Sequence, residues 1–161
     1  RIGHLPFTRR HVFEVAMHRL GEAYGWGGYR GNRDCSRYLM DVFATFGVRL
    51  SRHSSYQSKS GTRTVELKGM SDNEKAAAIR QAGKDGLVLL YMPGHIMLYL
   101  GEDAGRPWAV SSLSEFLVPC GDEEQVKRVD RVAISDLELG RSTSRKAFLQ
   151  RLTRLAIFGA P

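Results

Sequence analysis

A thiol and an imidazole are the two side chains here that could together attack an acyl carbon, and the chain holds two cysteines and five histidines. Cys35 heads the stretch NRDCSRYLMDVFATFGV, residues 32 to 48. In it Leu39, Val42, Phe43 and Phe46 recur at i, i+3, i+4 and i+7, the spacing of a helix with one buried face. Asp34 is a good N-cap residue, which puts Cys35 at the first helical position. Unpaired N–H groups and the macrodipole at that end favour an anion, so the placement suits a thiolate nucleophile. A small buried residue that happens to open a helix would look the same.

A cysteine nucleophile needs a base within hydrogen-bond reach. His4 lies in the opening segment and His53 in a polar loop. His11 and His18, at i and i+7 on the first helix, could share a face, but no further ligands stand at matching spacing, so no metal site is expected. His95 differs, because it opens the apolar strand GHIMLYLG after a Pro-Gly pair. Alternation puts His95, Met97 and Tyr99 on one face and Ile96, Leu98 and Leu100 on the other. A histidine heading such a strand is well placed to meet a packed helix terminus; it is also a common kind of satisfied core residue.

The elements that must position these groups follow in order. LPFT at 5 to 8 reads as an extended lead-in to a Thr cap, and Phe13, Ala16, Met17 and Leu20 mark a helix that Gly21 stops. A glycine-rich turn, YGWGGYRG, comes before the Cys35 helix, which ends at Gly47. The turn is no phosphate loop, since no Gly-Lys-Ser/Thr follows. A polar loop from Ser51 to Gly69 shows no periodicity and is long enough to suspect function. Ser71 and Glu74 form a capping box for a short helix through Ala76 and Ile79. LVLLYM, GHIMLYLG, RPWAVSSL, EFLVP and RVDRVAI read as strands, and TSRKAFLQRLTRLA as a closing helix with Phe148, Leu149, Leu152 and Leu155 inward. Helices first and an antiparallel sheet second make an α+β fold.

With 161 residues, 42% apolar and 25% charged, residues 1–161 are expected to form one domain. No apolar run is long enough for a transmembrane segment, and RIGHLPFTRR lacks the apolar core of a signal peptide. A start at Arg1 rather than Met suggests a processed protein or a fragment. The net charge of +7, from 24 Lys and Arg against 17 Asp and Glu, favours a polyanionic partner. The basic residues are scattered over Arg9, Arg10, Arg30, Arg33, Arg37, Lys127, Arg128 and the last helix, so no nucleic-acid surface is expected. Two cysteines are not a disulfide framework; if Cys35 is catalytic it stays reduced and Cys120 is a bystander.

The order LGEAYGWGGYRGNRDCSRYLMDVFATFGVRL, then SRHSSYQ, then GLVLLYMPGHIMLYLG resembles the NlpC-type cysteine peptidases of bacterial cell walls, from about Leu5 to the end of the chain. The resemblance implies a papain-like α+β fold, with the nucleophile at a helix N-terminus packed on a central antiparallel sheet. Cys35 is then the nucleophile, His95 its base, and Tyr24 an oxyanion donor beside the cysteine's own N–H, although Tyr24 also fits a core aromatic. The family's third polar residue, usually histidine, orients the base; Ser111 stands at that place, with Ser112 on the opposite face and Glu115 more distant. A serine hydroxyl accepts from a ring N–H but supports an imidazolium less than a basic or charged partner.

Trp26, Asp34, Ser36, Arg52, Ser54, Ser55 and Tyr56 are candidates to line the cleft. The implied substrate is a peptidoglycan stem peptide or muropeptide, cut between γ-D-glutamate and a diamino acid through a thioester, with no cofactor. The implied location is the cell envelope, periplasmic or secreted, and residues 1–8 would be the tail of a linker from upstream SH3-like domains. The alternatives are a cysteine amidase or acyltransferase on the same fold, a non-catalytic wall-binding module, for which Ser111 is the argument, and a nucleic-acid binder supported by charge alone.

Overall fold

Thr8 ends the extended lead-in, and its side chain accepts from the His11 N–H to open α1 (Arg9–Met17). A computed structural model describes residues 3–159. Of the expected linker tail, Arg1 and Ile2 lie outside the described residues, while Leu5 N–H bonds to Thr45 O and the Phe7 ring packs 5.8 Å from those of Phe43 and Phe46. Helix α2 (Cys35–Ala44) buries Tyr38, Leu39, Val42 and Phe43, the face its spacing requires. The Tyr38 hydroxyl donates to Ala16 O at 3.1 Å and ties α2 to α1.

A one-turn helix, α3 (Ser54–Gln57), and an edge strand, β1 (Arg63–Glu66), occupy what reads in sequence as a featureless polar loop. The capping box at Ser71 and Glu74 is formed and opens α4 (Asp72–Asp85). Strands β2 (Leu87–Met92), β3 (His95–Asp103), β4 (Arg106–Cys120) and β5 (Glu123–Asp136) follow as antiparallel neighbours. RPWAVSSL and EFLVP are thus one long strand with a bulge between Leu113 and Glu115, not two.

The expected closing helix is the main correction. Helix α5 covers only Phe148–Arg151, and Arg154–Phe158 is a strand, β6, inserted between β1 and β2 in the sheet order β1-β6-β2-β3-β4-β5. Phe148, Leu149, Leu152 and Leu155 fit a helical spacing, but the next residues are apolar on both sides: Leu155 and Ile157 join the α4 side of the sheet, Ala156 and Phe158 the α2 side. A five-residue run buried on both faces is satisfied by a central strand, and periodicity alone does not separate that from a helix.

The sheet therefore has two cores. Ile96, Leu98, Val110 and Val132 face α1 and α2, while Met97, Tyr99, Ala109 and Leu113 face α4 and α5. Among the described residues no helix is long and apolar enough to cross a membrane. Because Ile157 is 2% exposed in a central strand, Ile157→Ala should lower unfolding free energy by about 2–5 kcal/mol in urea denaturation. A change under about 1 kcal/mol would place this segment outside the core.

Candidate active site

Asp34 caps α2, accepting from the Arg37 N–H at 2.9 Å, and its carboxylate collects further donors. Arg52 reaches it from the α3 loop at 3.1 and 2.5 Å, the Ser36 hydroxyl at 3.1 Å, and the Gly27 N–H at 3.2 Å. Burial alone would raise the Asp34 pKa, but the hydrogen bonds from Arg52 and the Arg37 N–H outweigh it and hold the carboxyl below its ordinary value. Arg52 also donates to Ser36 Oγ at 2.7 Å. Gly25 is needed for the approach of the glycine-rich segment, since a Cβ there would fall 2.4 Å from Asn32 Cβ.

Cys35 opens α2 and is buried. The expectation of an anionic sulfur is corrected: burial pushes the thiol up to about 11, with the Asp34 charge adding to the rise. The N–H groups of Ile96, Ser36 and Cys35 itself face the sulfur and pull the other way without winning. The helix end is present, yet a carboxylate one residue away and the loss of water cost the anion more than the dipole returns.

His95 begins β3 after the Pro93-Gly94 turn, paired with Met92. Gly94 has φ +85°, a conformation that favours glycine. The His95 Nε2 lies 3.0 Å from the hydroxyl of buried Ser111, and the ring packs 5.8 Å from that of Phe148 on α5. Burial first, then the Arg151 charge, pushes the imidazole down to about 4, so it is neutral at pH 7. Thiol and imidazole do not form a hydrogen-bonded ion pair in this resting state. The residue after His95, Ile96, offers its N–H to Cys35, and the residue before it, Gly94, borders the same pocket as the thiol.

That pocket, about 330 Å³, is open to solvent; Trp26, Asp34, Cys35, Ser36, Arg52 and Ser54 line it, with His53 beside them. Ser55 and Tyr56 are exposed and outside the lining. Tyr24 is pushed up to about 12 by burial and by the nearby Cys35 and Asp34, so its hydroxyl keeps its proton. The Ser112 hydroxyl donates to Arg33 O at 2.6 Å on the other face, and Glu115 is held by Arg145 at 3.1 Å, away from the base.

The NlpC/P60 family model matches residues 21–105, from the glycine-rich segment through β3. The chain belongs to the NlpC/P60 family. Probable endopeptidase p60 of Listeria monocytogenes is 43% identical over 56 residues, which are 34% of this chain and 12% of that protein. An NlpC/P60 endopeptidase from Photobacterium damselae subsp. piscicida has the same fold, with TM-score 0.75 at 20% identity over 91% of this chain and 38% of that one. The peptidoglycan hydrolase RipB of Mycobacterium tuberculosis superposes with TM-score 0.57 at 19% identity, over 95% of this chain and 65% of that one. The chain thus spans only part of the relatives it matches. Like them it is an α+β, papain-like protein.

Ser111, Phe148 and Arg151 lie beyond the segment that matches the NlpC/P60 model. Two residues near the thiol are not evident from spacing. Gln57, fully buried, donates to Ser36 O at 2.9 Å and Ser51 O at 2.7 Å, joining the first turn of α2 to the α3 loop. His53 borders the pocket although its loop has no periodicity; the unusual density of hydrogen-bonding residues in SRHSSYQ is the available signal.

Removing Arg52 leaves the Asp34 carboxylate short of its main donor, so Arg52→Ala should cost about 1–3 kcal/mol of stability at pH 7. A folded-state pKa below the unfolded one means that the Asp34 contribution is complete above about pH 4 and is lost as pH falls through the folded value. Urea titrations from pH 7 to 2.5 should therefore show a flatter acid limb in Arg52→Ala than in wild type.

Proposed function

We propose that this chain is a cysteine endopeptidase of the cell envelope, periplasmic or secreted, that hydrolyses peptidoglycan stem peptides at the bond between γ-D-glutamate and a diamino acid. The observation that carries the reading is a buried thiol at a helix start, contacted by the N–H of Ile96 and sharing its pocket with Gly94, the two neighbours of His95, whose Nε2 lies 3.0 Å from Ser111 Oγ. The names of the family's relatives, an endopeptidase and a peptidoglycan hydrolase among them, support the substrate class. A net charge of +7 suits a carboxylate-bearing wall polymer. Upstream SH3-like domains belong to the same proposal and would add wall contacts.

The chemistry follows from two neutral groups. With Nε2–H donating to Ser111, the Nδ1 lone pair is the free acceptor, and it takes the Cys35 proton as the sulfur attacks the carbonyl carbon. The Cys35 N–H and the Tyr24 hydroxyl donate to the developing oxyanion. His95 then returns the proton to the departing amine, leaving a thioester on Cys35. Water, deprotonated by the same imidazole, attacks the thioester; the carboxylic acid leaves and the thiol is restored.

Digestion of defined muropeptides by wild type and Cys35→Ala tests this: soluble products from the first and none from the second are expected. Because the base works unprotonated and its pKa is about 4, kcat/KM should rise through that pH and stay flat across neutrality. A second reading, a wall-binding module without catalysis, is favoured by the serine in place of a basic third residue. It requires equal inactivity of wild type and Cys35→Ala together with sedimentation on cell walls. Ser111→His should raise kcat by stabilising the imidazolium, with about a tenfold gain for each 1.4 kcal/mol; no gain would assign the orienting role elsewhere.

A further inference from the structure

Arg19, Arg33, Arg52, Arg151 and Arg154 are the partly buried arginines among the described residues. Arg19 pairs with Glu22, Arg33 with Glu22 and Asp41, Arg52 with Asp34, and Arg154 with Glu66. Arg151 alone among them makes neither an ion pair nor a hydrogen bond to another described residue; its guanidinium lies over the Phe148 ring, 5.7 Å from the centroid. Burial and the neighbouring Arg145 both disfavour its charge, and Arg145 is itself committed to Glu115. A half-desolvated cation without a counter-ion is costly, and an anion that supplied charge-assisted hydrogen bonds would relieve it.

Its place is held firmly. Lys75, 6% exposed, reaches across from α4 and donates to Gln150 O at 2.6 Å and Leu152 O at 2.8 Å, the carbonyls on either side of Arg151. The Phe148 ring that carries the guanidinium also packs against His95, so the cation and the base share one aromatic platform. The amine that leaves in acyl transfer must lie next to the imidazole that protonates it. The residue bearing that amine is therefore delivered to the His95 side, toward Arg151.

We propose that Arg151 binds a carboxylate on the residue whose amine departs, so that the enzyme prefers a leaving residue with a free carboxylate over its carboxamide. The proposal rests on the endopeptidase reading and extends it to the leaving-group side, beyond the pocket around Asp34 and Arg52.

The test uses L-Ala-γ-D-Glu-diamino acid tripeptides that differ only in a free or amidated α-carboxylate on the last residue. Wild type should favour the free acid by about tenfold or more in kcat/KM, expressed in KM, as a charge-assisted contact of this kind is worth. Arg151→Gln, which loses no internal ion pair or hydrogen bond, should abolish the preference; because the Arg151 charge also lowers the basicity of His95, the readout is the ratio of acid to amide cleavage, in which a change in the base cancels. Equal use of both peptides by wild type, or a preference that survives in Arg151→Gln, overturns the proposal. Should wild type cleave neither, the endopeptidase reading fails. The site is then decided by titrating the free diamino acid and its amide into Cys35→Ala while following the His95 ring signals by NMR. Saturable shifts with the acid alone, abolished by adding Arg151→Gln, sustain the carboxylate site, and their absence rejects it.

Discussion

A carboxylate that leaves water must be given donors, and the one on Asp34 draws them from three separate segments of the chain. The Arg37 N–H closes the first turn of α2, the Gly27 N–H brings in the glycine-rich segment, and Arg52 brings in the loop before α3. Ser36 and Gln57 complete the junction by bonding Arg52 and the backbone around it. The glycine-rich and α3 walls of the thiol pocket are thereby tied to the helix that carries the thiol. The same charge opposes ionisation of Cys35, so the device that builds the pocket also keeps the sulfur protonated at rest.

The opposite side of the site is organised by the sheet. A two-residue turn starts β3 at His95, and β4 runs alongside, so Ser111 lies on the same face as the imidazole and reaches it. Behind the ring stands Phe148, supplied by a four-residue helix that ends where the last strand begins. Lys75 locks that helix through carbonyls on both sides of Arg151, and Phe148 and Leu149 share the core of Ile79 and Ala82 on α4. Cys35 thus belongs to the core on one face of the sheet, whereas His95 packs on Phe148 of the other.

The NlpC/P60 match ends soon after the base, whereas the hydroxyl, the aromatic platform and the free guanidinium around the base all come later in the chain. The later segment sets the surroundings of His95: burial and the nearby Arg151 cation hold the pKa of its ring down. In the proposed reaction, a neutral thiol and a neutral imidazole place proton transfer inside the attack rather than ahead of it. Ser111 fits that proposal, since its hydroxyl can accept from the N–H of a neutral ring.

Local sequence determined the features whose cause lies within a few residues. Asp34 and Ser71 cap their helices, the apolar spacing from Leu39 to Phe46 selects the buried face of α2, and the alternation after Gly94 separates His95 and Met97 from Ile96 and Leu98. Those residues act on their own backbone or on neighbours one turn away, so their pattern is readable without the fold. Tertiary structure alone decided that Arg154–Phe158 is a central strand, because both of its edges pair with strands far away in the chain and both faces are buried. It also decided that Cys35 is a neutral thiol, since helix position favours the anion whereas burial and the Asp34 charge, which win, depend on what folds over it. Gln57, Phe148 and Arg151 acquire meaning in the same way. Gln57 bonds Ser36 and Phe148 packs on His95 at long sequence separation, and the desolvation of Arg151 leaves no periodic trace in the chain itself.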